Sequence, residues 1–195
     1  MSSPARSNPS LTEVANTILA LDPRHPPTAV VAIDGPSGSG KTTLADRLGD
    51  AVAARHRSVA LIHVDDLLAG WDGLADLPGD LLRWVLEPVA AGRRARYHRY
   101  DWTADRYAEW CEVPAAQVLI VEGVGSGALT AAPLLDLLLW VEAPEPIRFD
   151  RGIARDGEAY RPNWQRWALQ EAAMFAGDRT RERADVRLDG TAPVP

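Results

Sequence analysis

The sequence predicts an α/β fold, with a mainly parallel sheet and helices on both faces. Three observations predict it. Five short apolar, β-branched runs recur along the chain, helical patterns separate most of them, and a glycine-rich loop joins the first run to a helix. Continuous apolar runs suit strands covered on both faces, and strand–helix alternation implies crossovers between parallel neighbours. With 195 residues the chain is of one-domain size and long enough to bury a sizeable core.

The elements follow in order. Segment 11–21 is an amphipathic helix pattern, and Ser10 and Glu13 stand at capping-box spacing before it. The run Ala29–Ile33 reads as the first strand, and the helix Thr42–Arg55 follows the glycine-rich loop. Next come a strand at Val59–Val64 and a helix at Gly79–Ala91. The stretch Arg93–Pro114, rich in Arg, Tyr and Trp, fits neither period and reads as a hairpin or loop insertion. Strands at Val118–Val121 and Leu137–Val141 flank a short helix at Leu129–Leu135. Helices at Pro146–Arg155 and Asn163–Ala176 precede the weakest strand, Asp185–Leu188. The proline-containing ends, 1–9 and 191–195, are expected to fray. Trp140 belongs in a strand and the core; Trp164 and Trp167 pack a helix against the body; Trp71 and Trp110 fall in loops.

Composition narrows the function. The chain is 46% hydrophobic and 25% charged, with a net charge of −6, which argues against a general nucleic-acid or anionic-membrane binder. Four arginines interleave with aromatics from Gly92 to Tyr100; in an acidic chain this suits a surface hairpin or contacts to an anionic acceptor better than a nucleic-acid patch. The single cysteine, Cys111, forms no internal disulfide, and no run approaches the ~20 apolar residues of a membrane span. With no signal-type start, the expectation is an unprocessed cytoplasmic protein. The basic residues are twenty arginines and one lysine, Lys41.

That lysine lies in Gly35-Pro36-Ser37-Gly38-Ser39-Gly40-Lys41-Thr42, which fits G-x-x-x-x-G-K-[ST]. Glycines let backbone amides form a nest for phosphate, and the following helix points its positive dipole end at it. Lys41 can bridge β- and γ-oxygens, and the Thr42 hydroxyl is a candidate Mg²⁺ ligand. The nucleotide-binding set is Gly35, Ser37, Gly38, Ser39, Gly40, Lys41, Thr42 and Thr43. A chain with its one lysine here has no N-K-x-D guanine-reading motif, and no L-S-G-G-Q-like signature occurs. A small phosphotransferase or an ATP-binding module without transfer remains.

Other positions favour transfer. Asp65 and Asp66 follow the second strand, where a carboxylate could accept a proton from a substrate hydroxyl; Asp65 is the stronger candidate. Glu122 ends the third strand and is placed to hold Mg²⁺ directly or through water. Arg148, Arg151 and Arg155 share a helical pattern, either as a solvated face or as charge for a transferring phosphoryl group. His25, His56, His63 and His98 have no metal-ligand spacing and Cys111 has no adjacent base, so none of the five is expected to be catalytic.

Together AIDGPSGSGKTTLA (32–45), HVDD (63–66), Tyr100-Asp101-Trp102, LIVEGVGSG (119–127) and Arg151 to Asp156 resemble the uridine kinase and phosphoribulokinase family of P-loop kinases. The motifs run in the family's order over about two-thirds of the chain. The resemblance implies a P-loop NTPase fold with a five-stranded parallel sheet, a small hairpin insertion and an Arg-bearing lid. Domain bounds of 1–27 for a helical extension and 28–190 for the kinase domain follow, with the insertion at about 93–114 and the lid at about 148–162. It implies that Asp65 is the catalytic base, that Thr42 and Glu122 serve the metal, and that Lys41, Arg151 and Arg155 stabilise charge. Gly152 replaces one arginine of the family's R-R-x-x-R-D segment.

Tyr100, Asp101 and Trp102 fall in the hairpin that meets the nucleobase in uridine–cytidine kinases, but Asp105 stands where those enzymes carry a base-reading His. Asp65-Asp66-Leu67-Leu68 replaces their D-x-F-Y, so the acceptor pocket, including Asp66, is expected to be altered. The expected activity is ATP- and Mg²⁺-dependent phosphorylation of a small hydroxyl-bearing compound, by default a uridine- or cytidine-like nucleoside. Nucleoside monophosphates, pantothenate-like or sugar alcohols, antibiotic-like compounds and a non-catalytic regulatory role are the alternatives. No nucleic-acid or membrane partner is expected.

Overall fold

The structure, a computed structural model, describes residues 8–158 and 161–191. Its first element is helix α1 (Leu11–Leu19), capped as its sequence predicts: the Glu13 amide donates to Ser10 Oγ, and the Ser10 amide donates to the Glu13 carboxylate at 2.7 Å. Then come β1 (Ala29–Asp34), α2 (Lys41–Ala53) and β2 (Val59–His63). Helix α3 (Leu77–Leu81) runs through a π turn into α4 (Glu87–Ala90), and the hairpin β3 (Arg96–Asp101) and β4 (Arg106–Glu112) follows. The chain continues through β5 (Val118–Glu122), β6 (Leu137–Glu142), α5 (Glu145–Asp156), α6 (Arg161–Asp178), α7 (Thr180–Arg183) and β7 (Val186–Asp189). Segment 129–135 contains only a single 3₁₀ turn, Ala132–Leu134.

Five strands form one sheet in the order β2-β5-β1-β6-β7, every neighbouring pair parallel. All six residues of β1 are buried, because the strand is central and covered on both faces. Alternation sorts its side chains: Val31 and Ile33 pack with Val14, Ile18, Leu44 and Leu48 of α1 and α2 on one face. Val30 and Ala32 pack on the other with Leu77, Leu81 and Leu86 of the α3–α4 segment and Trp167 of α6. The crossovers place β5 and β6 on either side of β1, so a crevice opens at the carboxyl ends of the strands where the chain turns both ways.

Two expectations need correcting. Asn8 and Thr191 are held, not frayed: the Asn8 amide donates to the Asp189 carbonyl at 2.7 Å and accepts the Asp189 N–H at 2.8 Å, and Thr191 donates to the Asp189 carboxylate. The edge strand β7 thus gains partners at its end; the rest of both ends, residues 1–7 and 192–195, lies outside the described residues. Trp110 lies in β4 rather than a loop, stacked on His98 with ring centroids 4.7 Å apart and covered by the Arg96 guanidinium. No described helix is long and apolar enough to cross a membrane.

Candidate active site

Between Asp34 and Lys41 the backbone must turn sharply back on itself, and glycine makes this possible. Gly35 and Gly38 both have positive φ, and a Cβ would collide with the Val141 carbonyl at Gly35 and with the Arg148 backbone at Gly38. The loop therefore sits tightly against β6 and α5. Gly40 caps α2 from the left-handed region, so α2 starts at Lys41 and presents its amino end to the loop. A cleft of about 650 Å³ opens there, lined among others by Ser37, Gly38, Lys41, Thr42, Asp65, Glu122, Arg151 and Arg155.

The buried Lys41 ammonium donates to the Pro36 carbonyl at 3.2 Å across the loop. Thr42 Oγ1 donates to Glu122 Oε1 at 3.2 Å, which joins the amino end of α2 to the carboxyl end of β5. A hydroxyl and a carboxylate are hard oxygen donors of the kind Mg²⁺ takes alongside substrate phosphates, so these residues fit that ion. Among the described residues, no three His, Cys, Asp or Glu side chains form a metal-holding group by themselves.

Asp65 lies just beyond β2, in a 3₁₀ turn opening on the cleft. Crowding by the cleft walls raises its pKa above the usual carboxylate range, and the Glu122 charge pushes the same way; Lys41, Arg155 and His63 oppose. Asp65 remains exposed through the cleft mouth, so water tempers the first of these effects.

Helix α5 lies across the loop. Arg148 donates to the Ser37 carbonyl at 3.2 Å and pairs with Glu171 of α6 at 3.2 Å; Arg151 donates to the carbonyls of Gly38 at 3.3 Å and Gly190 at 2.9 Å. Both guanidinium groups are thus tied to backbone carbonyls, Arg148 half-buried and Arg151 exposed. Arg155 reaches the cleft wall one turn on and is bidentate with its neighbour Asp156.

The acceptor-side residues are arranged differently. Tyr100 is buried and its hydroxyl donates to Oδ1 of the exposed Asp105 at 2.6 Å, which satisfies the hydroxyl's proton. Asp101 accepts the Thr103 and Ala104 amides and so closes the hairpin turn. Asp66 accepts from the Tyr97 hydroxyl at 3.3 Å. Only Trp102 reaches toward Asp65, donating from Nε1 to its carbonyl at 3.1 Å. Of the acceptor set, Asp65 alone lines the cleft.

Three site residues escaped sequence reasoning. Asp34, fully buried at the end of β1, accepts the amides of Gly35, Gly125 and Gly127 and ties the loop after β5 to the phosphate loop. Burial raises its pKa to about 6, against these hydrogen bonds and Lys41. A carboxylate ending an apolar strand, the signal used at Glu122, was also present here. His63 ends β2 with Nδ1 2.8 Å from Glu122 Oε2; that hydrogen bond raises its pKa, burial opposes it, and the Glu122, Asp66 and Asp46 charges add to the rise. Glu171, buried in α6, accepts the Ser37 amide at 3.0 Å; nothing local in the sequence marks it.

No family model matches the chain, and no curated protein matches it. Solved structures do. One described as a possible uridine kinase from Bacillus stearothermophilus matches with TM-score 0.67 at 22% identity, over 92% of this chain and 97% of that one. A candidate fructose transport system kinase from Silicibacter sp. TM1040 gives 0.67 at 21%, over 91% and 98%. A D-glycerate 3-kinase from Cryptococcus neoformans gives 0.54 at 15%, over 86% and 87%. The likeness is one of fold: this chain has the α/β fold of P-loop kinases.

Proposed function

We propose that the protein is a cytoplasmic, ATP-dependent kinase that transfers the γ-phosphoryl group to a hydroxyl of a small molecule. One observation carries this reading: the phosphate loop, the Thr42–Glu122 pair and Asp65 line a single cleft. A nucleotide-binding module without transfer would use Glu122 for Mg²⁺ but would need no second carboxylate, Asp65, beside it. Asp65 takes the proton as the acceptor oxygen bonds to the γ-phosphorus and the bond to the β–γ bridging oxygen breaks, leaving ADP and a phosphate monoester. Lys41, with Arg151 and Arg155 from α5, balances charge on the transferring group. Gly35, Ser37, Gly38, Ser39, Gly40 and Thr43 complete the nucleotide site. Thr42 and Glu122 hold Mg²⁺, which when bound supplies positive charge beside the phosphates.

The default acceptor is a uridine- or cytidine-like nucleoside. The Tyr100–Asp105 pair favours a second reading, a kinase for another hydroxyl compound such as a sugar alcohol, because the buried Tyr100 hydroxyl already donates to Asp105, which stands where the resemblance expects a base-reading His. The fold does not choose: the matched structures bear uridine, fructose-system and glycerate names.

The test is ADP release at saturating ATP and Mg²⁺ with a panel of nucleosides and small alcohols. Turnover with one member is expected, and Asp65→Asn should cut it about 10²–10⁴-fold while ATP still binds. Silence with uridine and cytidine but turnover with an alcohol establishes the second reading. Full turnover by Asp65→Asn removes the assigned base. Lys41-dependent ATP binding with no acceptor phosphorylated overturns the kinase reading.

A further inference from the structure

Glu122 is held from two sides. Strands β2 and β5 pair in parallel with His63 directly opposite Glu122, so the side chains leave the sheet edge together. The Thr42 hydroxyl donates to Oε1 at 3.2 Å, while His63 Nδ1 lies 2.8 Å from Oε2. A carboxylate only accepts, so the imidazole carries a proton on Nδ1 and donates it. Glu122 is only 4% exposed and has little water to replace a lost partner.

We infer that His63 is a positioning residue for Glu122: its Nδ1–H fixes one carboxylate oxygen so that the other is presented beside the Thr42 hydroxyl. This rests on the reading of Thr42 and Glu122 as the Mg²⁺-holding pair. A glutamate carboxylate turns about its last bond with little resistance, and with one oxygen tied to an adjacent strand it faces α2 in one orientation. Partners that orient a ligating group in this way typically contribute about 10–100-fold in metal affinity. The imidazole acts through Glu122, because its near nitrogen is spent on that carboxylate.

The inference can be read without turnover. Binding of a fluorescent ATP analogue to the full chain is titrated with Mg²⁺ for wild type, His63→Ala, His63→Asn and Glu122→Gln. His63→Ala should raise the Mg²⁺ concentration for half-maximal tightening by about 10–100-fold, with metal-free binding unchanged. His63→Asn, whose amide nitrogen replaces the Nδ1 donor, should return toward wild type, and Glu122→Gln should be shifted at least as far as His63→Ala. His63→Phe keeps a ring without the donor and takes the alanine variant's place if that variant melts below the assay temperature.

If His63→Ala titrates like wild type while Glu122→Gln is shifted, the inference fails and the Mg²⁺ reading stands. An equal shift in His63→Ala and His63→Asn also overturns it, because the ring rather than its hydrogen bond would then matter. Absence of any Mg²⁺ dependence in wild type, unaltered by Glu122→Gln, removes the cation reading and the inference with it.

Discussion

Asp34 is fully buried, yet its carboxyl is the hub that joins two loops of the site, and replacing it by Asn separates its two physical effects. The first is charge. Its pKa rises from the ordinary 3.8 to about 6 in the fold, chiefly because burial penalises the ion. Between those values the folded state holds a proton that the unfolded chain has lost, so stability falls as pH rises through that window and is flat above it. At ~1.4 kcal/mol per pH unit, the charged form costs the folded protein about 3 kcal/mol. The second effect is hydrogen bonding. Oδ1 accepts Gly35 at 2.7 Å and Gly125 at 3.1 Å, and Oδ2 accepts Gly127 at 2.8 Å. An asparagine must turn its NH₂ toward at least one of these amides, at a cost of about 1–3 kcal/mol that does not depend on pH. Asp34→Asn should therefore be the less stable protein near pH 4, and the gap should shrink by about 3 kcal/mol, closing or reversing, by pH ~7. Urea unfolding of both proteins across that range measures it. Parallel stability–pH profiles would refute the reasoning, since Asp34 would then not be the group titrating in the fold.

Two further outcomes test the packing of the phosphate loop. Gly38→Ala puts a methyl group into the Arg148 backbone at a position of positive φ; thermal melting should show a loss of about 1–3 kcal/mol. A fluorescent ATP analogue should bind it more weakly as α5 is pushed from the loop, and an unchanged melting temperature would contradict the contact. Glu171→Gln removes the charge facing Arg148 where the two side chains are only 3% and 13% exposed. Breaking a shielded pair on one side costs about 3 kcal/mol, so the urea midpoint should fall; Arg148→Leu combined with Glu171→Leu should recover part of the loss.

Much of the fold was legible because the signals were local. Four of the five sheet strands are apolar runs that need no partner to be recognised, the edge strand β7 being the weak one, and the capping box of α1 lies within four residues. The phosphate loop was legible for the same reason, with its glycines at the positive-φ turns. What sequence reasoning missed is non-local. His63 matters through Glu122, 59 residues away, and Glu171 through Ser37, 134 residues away; neither spacing carries a pattern until the sheet register and the α6 packing exist. Asp34 is a different case: it had the strand-end signal, but it sits at the start of a stronger motif that accounted for the whole turn. The hairpin itself was legible, whereas the pairing of Tyr100 with Asp105 depends on the turn geometry that brings a residue five places on back to the phenolic hydroxyl.

That pairing bears on how one fold can serve several acceptors. The donor side of the cleft is assembled from backbone amides, one lysine and carboxylates at strand ends, and little in it can vary without losing the phosphate nest. The segments expected to meet an acceptor, the hairpin and the stretch after β2, lie outside the sheet. Beside the hairpin and α6 lies an edge-to-face array: Trp71 stands 5.4 Å from Trp102 and 6.0 Å from Trp167 between ring centroids. Trp102 is 41% exposed and anchored to the Asp65 carbonyl, while Trp167 donates to Ser37 Oγ at 2.7 Å. Indole faces reward any flat or C–H-rich surface laid on them and read no hydrogen-bond pattern. Discrimination by tens of thousands needs buried polar groups left unpaired by the wrong substrate, and on the hairpin the buried Tyr100 hydroxyl already has a partner in Asp105. The tryptophan array thus runs from Ser37 of the phosphate loop at one end to the Asp65 backbone at the other. On the proposed reading, an acceptor laid on that array would be selected by shape, and a hairpin that re-pairs two side chains would change the acceptor without altering the phosphate loop.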